Sequence, residues 1–183
     1  MGASVVNFLH DHVLVKEPGS VKETLWHQDQ PYSPVDGSQF VALWTPLDPV
    51  GPDATLRLVR GSHAAGTWYR PRRFIDGELR QGDDEAWPVL EDVEGQVLSW
   101  AVEPGDCIAF AGLTLHAAPA NPAAIRRRVV TTRFTGDDAR FVLRDGEMSP
   151  APPAVGGPEP GDRLDSEAFP VVARRSRDGR WES

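Results

Sequence analysis

Cysteine is scarce in this 183-residue chain, whose single cysteine, Cys107, cannot form a disulfide within it. Long apolar runs are absent too. None approaches the roughly 20 residues that a membrane-spanning helix requires, and the first residues lack the basic segment and apolar stretch of a secretory leader. These absences predict a cytoplasmic protein without a membrane partner. At this length folding buries about 70% of the unfolded surface, so we expect residues 1–183 to form one domain.

Positive charge is also in short supply, since the formal net charge is −8 at pH 7. Nucleic-acid binding calls for a concentrated positive surface, so the charge argues against nucleic acid as the main partner. The arginines nonetheless form two clusters, the segment Arg70 to Arg73 and the consecutive residues 126–128. The first cluster could contact an anionic or aromatic small molecule, but a solvated loop is the simpler interpretation.

Helical periodicity is missing from every long stretch of the chain. The apolar segments are short, rich in β-branched and aromatic residues, and separated by 17 glycines and 17 prolines. This pattern is typical of an all-β fold, and eight short strands favour a sandwich or jelly roll. The predicted strands are His12–Lys16, Leu25–Gln30, Phe40–Leu47, Thr55–Val59, Val97–Val102, Cys107–Ala111, Arg127–Phe134 and Arg140–Arg144.

Two regions fall outside this pattern of strands. The interval 64–96 contains Trp68, Trp87 and the acidic run Asp83–Glu85, and a loop of that length is usually a lid or a binding loop. From Asp145 onward proline and glycine crowd together, which predicts an irregular C-terminal tail. The barrel core is therefore expected over about residues 10–144, with the tail over 145–183.

The sequence TLWHQDQPY places His27 and Asp29 two residues apart. If the strand continues through Gln30, both side chains project from one face and can bind one metal ion. His116, in GLTLHAAPAN, is the best candidate for a third ligand, at the expected end of an apolar strand. Two imidazoles and one carboxylate form the facial triad that suits Fe(II) with open coordination positions.

The histidine spacings also permit simpler interpretations than metal binding. The spacing of His27 and Asp29 alone would fit a surface pair about as well as a metal site. His10 and His12 have the same spacing, although one packed and one exposed histidine on a strand is the simpler interpretation. His63, in RGSHAAG, is expected to be a turn histidine hydrogen-bonded to the backbone.

Seven motifs taken together resemble the phytanoyl-CoA dioxygenase family of Fe(II)- and 2-oxoglutarate-dependent oxygenases. They occur in the family's order and spacing over roughly residues 10–138. The resemblance implies a double-stranded β-helix, a cupin-like jelly roll, in which His27, Asp29 and His116 bind Fe(II). The motifs are VKEPGS, WHQDQPY, ALWTPLDPV, VRGSH, EPGD, LHAAPAN and RRRVVTTRFTGDD.

The resemblance also implies residues that bind 2-oxoglutarate. The family places an arginine eleven residues past the distal histidine, and Arg127 lies at that distance from His116. Strand alternation would send the two neighbouring arginines to the opposite face. Trp44 matches a tryptophan that lines the cosubstrate pocket, although core packing explains it almost as well. Gln28, between two ligands, and His12 fall near further family positions.

The implied activity is that of a dioxygenase which uses O2 to hydroxylate a small-molecule metabolite, with release of succinate and CO2. Asp29 favours hydroxylation, because related halogenases lack this carboxylate. Desaturation, epimerisation and ring formation use the same kind of site.

Two alternatives remain open at this point. Only about a dozen residues precede VKEPGS, where family members have a longer region, so the chain could be a shortened, non-catalytic relative that binds metal only. It could also be a cupin-like metalloenzyme without 2-oxoglutarate. Arg127 distinguishes the second alternative, since a site that binds no dicarboxylate has no need of an inward arginine.

Overall fold

The computed structural model describes residues 2–81 and 87–182 and confirms the all-β class. Within those ranges the regular structure is β-strand and short 3₁₀ turns, and no helix is long and apolar enough to cross a membrane. The strands are β1 (Val5–Lys16), β2 (Thr24–His27), β3 (Val35–Asp36), β4 (Phe40–Pro46), β5 (Arg57–Val59), β6 (Val97–Leu98), β7 (Ile108–Ala111), β8 (His116–Ala118), β9 (Arg127–Thr135), β10 (Arg140–Phe141), β11 (Val171–Arg175) and β12 (Trp181–Glu182).

Two antiparallel sheets form the jelly roll. The larger has the order β12-β11-β1-β9-β4-β7, the smaller has the order β2-β8-β5-β6, and β3 pairs separately with β10. The main core cluster takes Trp44 and Val129 from the larger sheet and Leu58 and Ala118 from the smaller. The core therefore lies between the sheets, as expected for a double-stranded β-helix.

Strand β9 is central in the larger sheet, between β1 and β4. Its side chains alternate strictly, with every second residue from Arg127 onward buried. Arg126 and Arg128 are exposed and pair with Glu17 and Asp48, as alternation predicts. The inner face of β9 thus places polar side chains in the middle of the barrel.

Strand β2 ends at His27, earlier than the predicted Gln30. Asp29 has helical backbone angles (φ −77°, ψ −41°) and precedes a 3₁₀ helix, Gln30–Tyr32. Pro31 lacks an N–H for a strand ladder and suits the first turn of a helix. The predicted strand through Gln30 is therefore wrong, and a turn instead of strand alternation positions Asp29 relative to His27.

His116 begins a strand, β8, instead of ending one. The three residues of β8 are His-Ala-Ala, which lack the β-branched and aromatic side chains that identify strands in a sequence. Several predicted strands also have different bounds. β1 starts at Val5, and the predicted strand Val97–Val102 is reduced to Val97–Leu98.

The C-terminal tail is irregular as far as Pro170 but not beyond it, which corrects the predicted limit of the barrel core at residue 144. Strands β11 and β12 form a hairpin, and β11 pairs with Val5–Asn7 of β1. Leu164 and Phe169 are each 2% exposed and belong to a second core cluster. Burial of these two apolar side chains stabilises the packing of the tail against the barrel.

The long loop, residues 66–96, contains no strand longer than an isolated bridge in its described part. Buried Arg80 attaches it to the barrel through hydrogen bonds to the backbone oxygens of Pro31 and Glu147. The guanidinium of Arg144 lies over the rings of Trp68 and Trp87, 5.1 and 5.5 Å from their centroids. The acidic run at 83–85 lies outside the described residues.

Asn121, in the turn between β8 and β9, connects that turn to the end of β1. Its side chain is 1% exposed. The amide nitrogen donates to the backbone oxygens of Lys16, Glu17 and Ile125 at 3.0, 3.3 and 2.9 Å.

Replacing Asn121 with alanine should lower the free energy of unfolding by about 2–3 kcal/mol, because the buried amide loses three hydrogen bonds to backbone oxygens. Urea unfolding at equilibrium measures the change. Gln96→Ala, at an exposed position, should change it by less than about 0.5 kcal/mol. A loss below about 1 kcal/mol for Asn121→Ala would contradict the role assigned to this side chain.

Candidate metal centre

The pairing of β2 with β8 positions two of the three candidate ligands. His27 is the last residue of β2, His116 is the first of β8, and the two are direct partners in the antiparallel register. Their ring centroids lie 4.1 Å apart. Asp29 follows in the turn, where its N–H and that of Gln30 both donate to the backbone oxygen of Gly112, at 3.0 and 3.1 Å.

Three candidate ligand atoms converge at this point. The Nε2 atoms of His27 and His116 each lie 3.7 Å from Oδ1 of Asp29, and the three atoms lie within 4.8 Å of one another. Nδ1 of His27 donates to the Leu25 oxygen at 2.8 Å, and Nδ1 of His116 donates to the Thr114 oxygen at 2.9 Å. With the hydrogen on Nδ1, each Nε2 presents its lone pair to the shared space.

The protonation states suit a divalent ion. Burial, reinforced by the neighbouring His116, lowers the pKa of His27 to about 3, and burial also lowers the pKa of His116. Burial alone would raise the pKa of Asp29, but Arg133 and His116 bring it below the usual range. Near pH 7 the site therefore offers two neutral imidazoles and one carboxylate, a donor set that fits non-haem iron.

Arg133 belongs to the site, although sequence reasoning missed it. Its Nε and Nη2 donate to Oδ2 and Oδ1 of Asp29 at 2.9 and 3.0 Å. The available signal was the alternation of β9, which puts Arg133 on the same inner face as Arg127. A carboxylate has about four lone-pair positions, so this bidentate pair leaves Oδ1 able to face the histidines.

A cavity of about 430 Å³ opens over the three candidate ligands. His12 and Trp44, both predicted to contact the cosubstrate, line it, whereas Arg127 and Gln28 do not. Apolar side chains make up much of the remaining wall, among them Val13, Leu14, Leu56, Phe74, Phe110 and Ala118.

Gln28 is 2% exposed and its amide is bonded to three backbone groups. Its Nε2 donates to the oxygens of Thr67 and Leu113 at 2.8 and 2.9 Å, and its Oε1 accepts from the Tyr69 N–H at 2.9 Å. Gln28 thus attaches the long loop and the turn before His116 to the segment that carries the other two ligands. Its predicted contact with a cosubstrate stays a prediction.

Arg127 and Lys16 lie side by side behind the cavity wall. Buried Arg127 donates to the backbone oxygens of Ala54 and Pro119, and Lys16 Nζ donates to those of Ala118 and Pro119 at 3.0 and 2.8 Å. Burial lowers the pKa of Arg127, and burial together with Arg127 lowers the pKa of Lys16 to about 8. Sequence reasoning did not single out Lys16.

The other histidines do not join the metal group. His10 and His12 pack ring against ring, 4.7 Å apart, and the candidate metal group within residues 2–81 and 87–182 consists of His27, Asp29 and His116 alone. His63 lies exposed in a 3₁₀ turn, Ser62–Ala65.

Three solved structures share this fold. The epimerase SnoN, in complex with Fe3+, alpha ketoglutarate and nogalamycin RO, is 20% identical, with a TM-score of 0.69 over 91% of this chain and 65% of SnoN. The alpha ketoglutarate dependent carbocyclase SnoK from nogalamycin biosynthesis is 24% identical, with a TM-score of 0.63 over 92% of this chain and 63% of SnoK. EvdO2 from Micromonospora carbonacea var. aurantiaca, complexed with 2-oxoglutarate, is 24% identical, with a TM-score of 0.58 over 79% of this chain and 57% of EvdO2.

At these identities the likeness establishes the fold, and the chain spans less than two thirds of the length of each of the three proteins. No curated protein sequence matches the chain significantly. The family profile described as phytanoyl-CoA dioxygenase matches residues 2–129, a stretch that includes His27, Asp29, His116 and Arg127. The chain therefore belongs to the phytanoyl-CoA dioxygenase family.

Proposed function

We propose that the chain is an Fe(II)- and 2-oxoglutarate-dependent oxygenase that hydroxylates a small molecule. The observation that carries the proposal is the convergence of two histidine Nε2 atoms and one carboxylate oxygen within 4.8 Å, beneath a cavity. His27, Asp29 and His116 would bind one face of the ion and leave the opposite positions open. Family membership over residues 2–129 supports the same activity.

The cations behind the cavity support a dicarboxylate cosubstrate. Among the described residues neither Arg127 nor Lys16 beside it forms an ion pair, and the carboxylate that acts on Lys16 from a longer distance is that of Glu23. A buried cation without a counter-charge is costly. The distal carboxylate of 2-oxoglutarate would supply that charge, and the planar fork of Arg127 can bind it with two parallel hydrogen bonds. This pair of cations favours a cosubstrate-dependent enzyme over a cupin-like metalloenzyme without 2-oxoglutarate.

The iron and the cosubstrate, when bound, supply the oxidising chemistry with O2, which converts 2-oxoglutarate to succinate and CO2. The chain's own contribution is geometry and exclusion of water. The histidine tautomers fixed by the backbone oxygens of Leu25 and Thr114 would leave each Nε2 free to bind the ion. Trp44 and Phe110, both at most 8% exposed, line the cavity with apolar surface that would exclude water from the bound groups.

The side chains at the mouth of the cavity favour an uncharged substrate with apolar or aromatic character. The rings of Phe74 and Tyr32 stack at 5.0 Å, and Phe74 is 53% exposed beside the His27 ring. Two arginines of the long loop bond within that loop, Arg72 to the Gly77 oxygen and Arg73 to Asp76. SnoN, whose structure contains nogalamycin RO, offers a precedent for a bound ligand besides the metal and alpha ketoglutarate in this fold.

Alanine at His27, Asp29 or His116 should abolish binding of one equivalent of Fe(II) or Co(II), because each removes one of three converging ligands. Anaerobic equilibrium dialysis with metal analysis measures the stoichiometry. His63→Ala serves as the matched control, since His63 is exposed in a turn. Equal binding by the His27→Ala and wild-type proteins would rule out the assigned centre.

Arg127→Ala should weaken 2-oxoglutarate binding by roughly 10²-fold or more, because two charge-assisted hydrogen bonds of roughly 1.5–3 kcal/mol each are lost. The visible absorption band of the Fe(II)–2-oxoglutarate chelate, titrated without oxygen, reports this affinity. Arg126→Ala, at an exposed position, should leave it unchanged. A band of unaltered affinity in Arg127→Ala would contradict the cosubstrate assignment.

Hydroxylation should be visible as a product heavier than its substrate by the mass of one oxygen atom, formed with one equivalent of succinate. Incubation with a library of uncharged cyclic metabolites, followed by mass spectrometry, tests this. A product of unchanged mass would instead indicate epimerisation, the activity named for SnoN. Metal and cosubstrate binding without succinate formation would favour the non-catalytic relative.

A further inference from the structure

Arg133 donates two parallel hydrogen bonds to one carboxylate, that of Asp29. Its side chain is buried, and two of its nitrogens bond the two oxygens of Asp29 at 2.9 and 3.0 Å. The third nitrogen, Nη1, donates to Thr131 Oγ1 at 3.2 Å and lies 3.4 Å from Nδ1 of His12. The guanidinium is therefore braced by β9 and β1 while it holds Asp29.

The arrangement fixes the carboxylate plane of Asp29. A fork that bonds both oxygens in parallel prevents the carboxylate from rotating about its terminal torsion, which is otherwise broad. In the fixed orientation Oδ1 lies 3.7 Å from the Nε2 atoms of both His27 and His116. Both oxygens bond the guanidinium, Oδ2 to Nε at 2.9 Å and Oδ1 to Nη2 at 3.0 Å, and Oδ1 is the oxygen that faces both histidines.

The orientation of the Asp29 carboxylate determines how many coordination positions of a bound ion stay open. A carboxylate free to rotate can bind an ion through both oxygens, and a second bond from Asp29 would occupy one of the positions that the cosubstrate and oxygen require. With Arg133 in place, Asp29 presents Oδ1 alone. Lysine would preserve the positive charge but not the planar fork.

We propose that Arg133 is a positioning residue that holds Asp29 as a ligand through one oxygen, oriented before the metal binds. The inference rests on the proposed metal site and adds a residue that does not itself contact the ion. Partners of this kind, which orient a ligand, typically change metal affinity by about 10–100-fold when they are replaced.

The test is a titration of the purified, metal-free protein with Co(II), followed by the visible absorption of the bound ion. Arg133→Gln should raise the dissociation constant for Co(II) by about 10–100-fold. Arg133→Lys should recover part of that loss and shift the absorption bands, because the coordination of Asp29 changes. Arg128→Gln is the matched control, since Arg128 lies on the same strand in a similar two-point pair with Asp48, but at the surface.

A role confined to folding would lower the melting temperature without changing the Co(II) affinity or spectrum of the protein that remains folded. If Arg133→Gln does not fold, Arg133→Lys and Thr131→Val decide the question. Thr131→Val removes the hydroxyl that braces Nη1 and should raise the dissociation constant by at least about twofold. Wild-type affinity and spectrum in the folded Arg133 and Thr131 variants would overturn the inference. Wild-type protein that binds no Co(II) would instead overturn the metal site itself.

Discussion

The antiparallel pairing of β2 with β8 sets His27 directly opposite His116, and the other parts of the site are arranged around that pair. Backbone oxygens two residues earlier in each segment hold the Nδ1 hydrogens, so the backbone that forms the pair also fixes the tautomers. The turn that follows His27 then brings Asp29 to the same place, because its N–H is bonded to Gly112, which directly follows β7. The pairing of two distant strands and the turn after β2 together gather three ligands from two short segments.

Charge in the barrel is distributed in two separate groups. Asp29 and Arg133 neutralise each other beside the histidines, whereas Lys16 and Arg127 lie together behind the wall near Pro119. An anion that reaches from the first group to the second would meet a metal at one end and two cations at the other. This asymmetry fits a dicarboxylate better than a monoanion.

The sequence predicted what depends on local patterns. The alternation of β9 correctly placed Arg127 inside and its neighbours outside, and the short segments correctly indicated an all-β fold. The position of Asp29 could not be derived from strand alternation, since Pro31 ends the strand early. The pairing of β11 with β1 brings together residues more than 160 positions apart, and the bond between Arg133 and Asp29 spans 104 positions. No local pattern encodes such contacts.

Gln28 connects the long loop to both ligand-bearing segments through three hydrogen bonds. If the loop opened at Thr67 and Tyr69, the segments that hold His27 and His116 would therefore lose this support. Loop opening and metal binding would then be two coupled equilibria, and such coupling is reciprocal. If a closed loop tightened metal binding by some factor, bound metal would shift the loop equilibrium toward the closed form by the same factor. The loop and the three metal ligands would then respond to ligands as one thermodynamic unit.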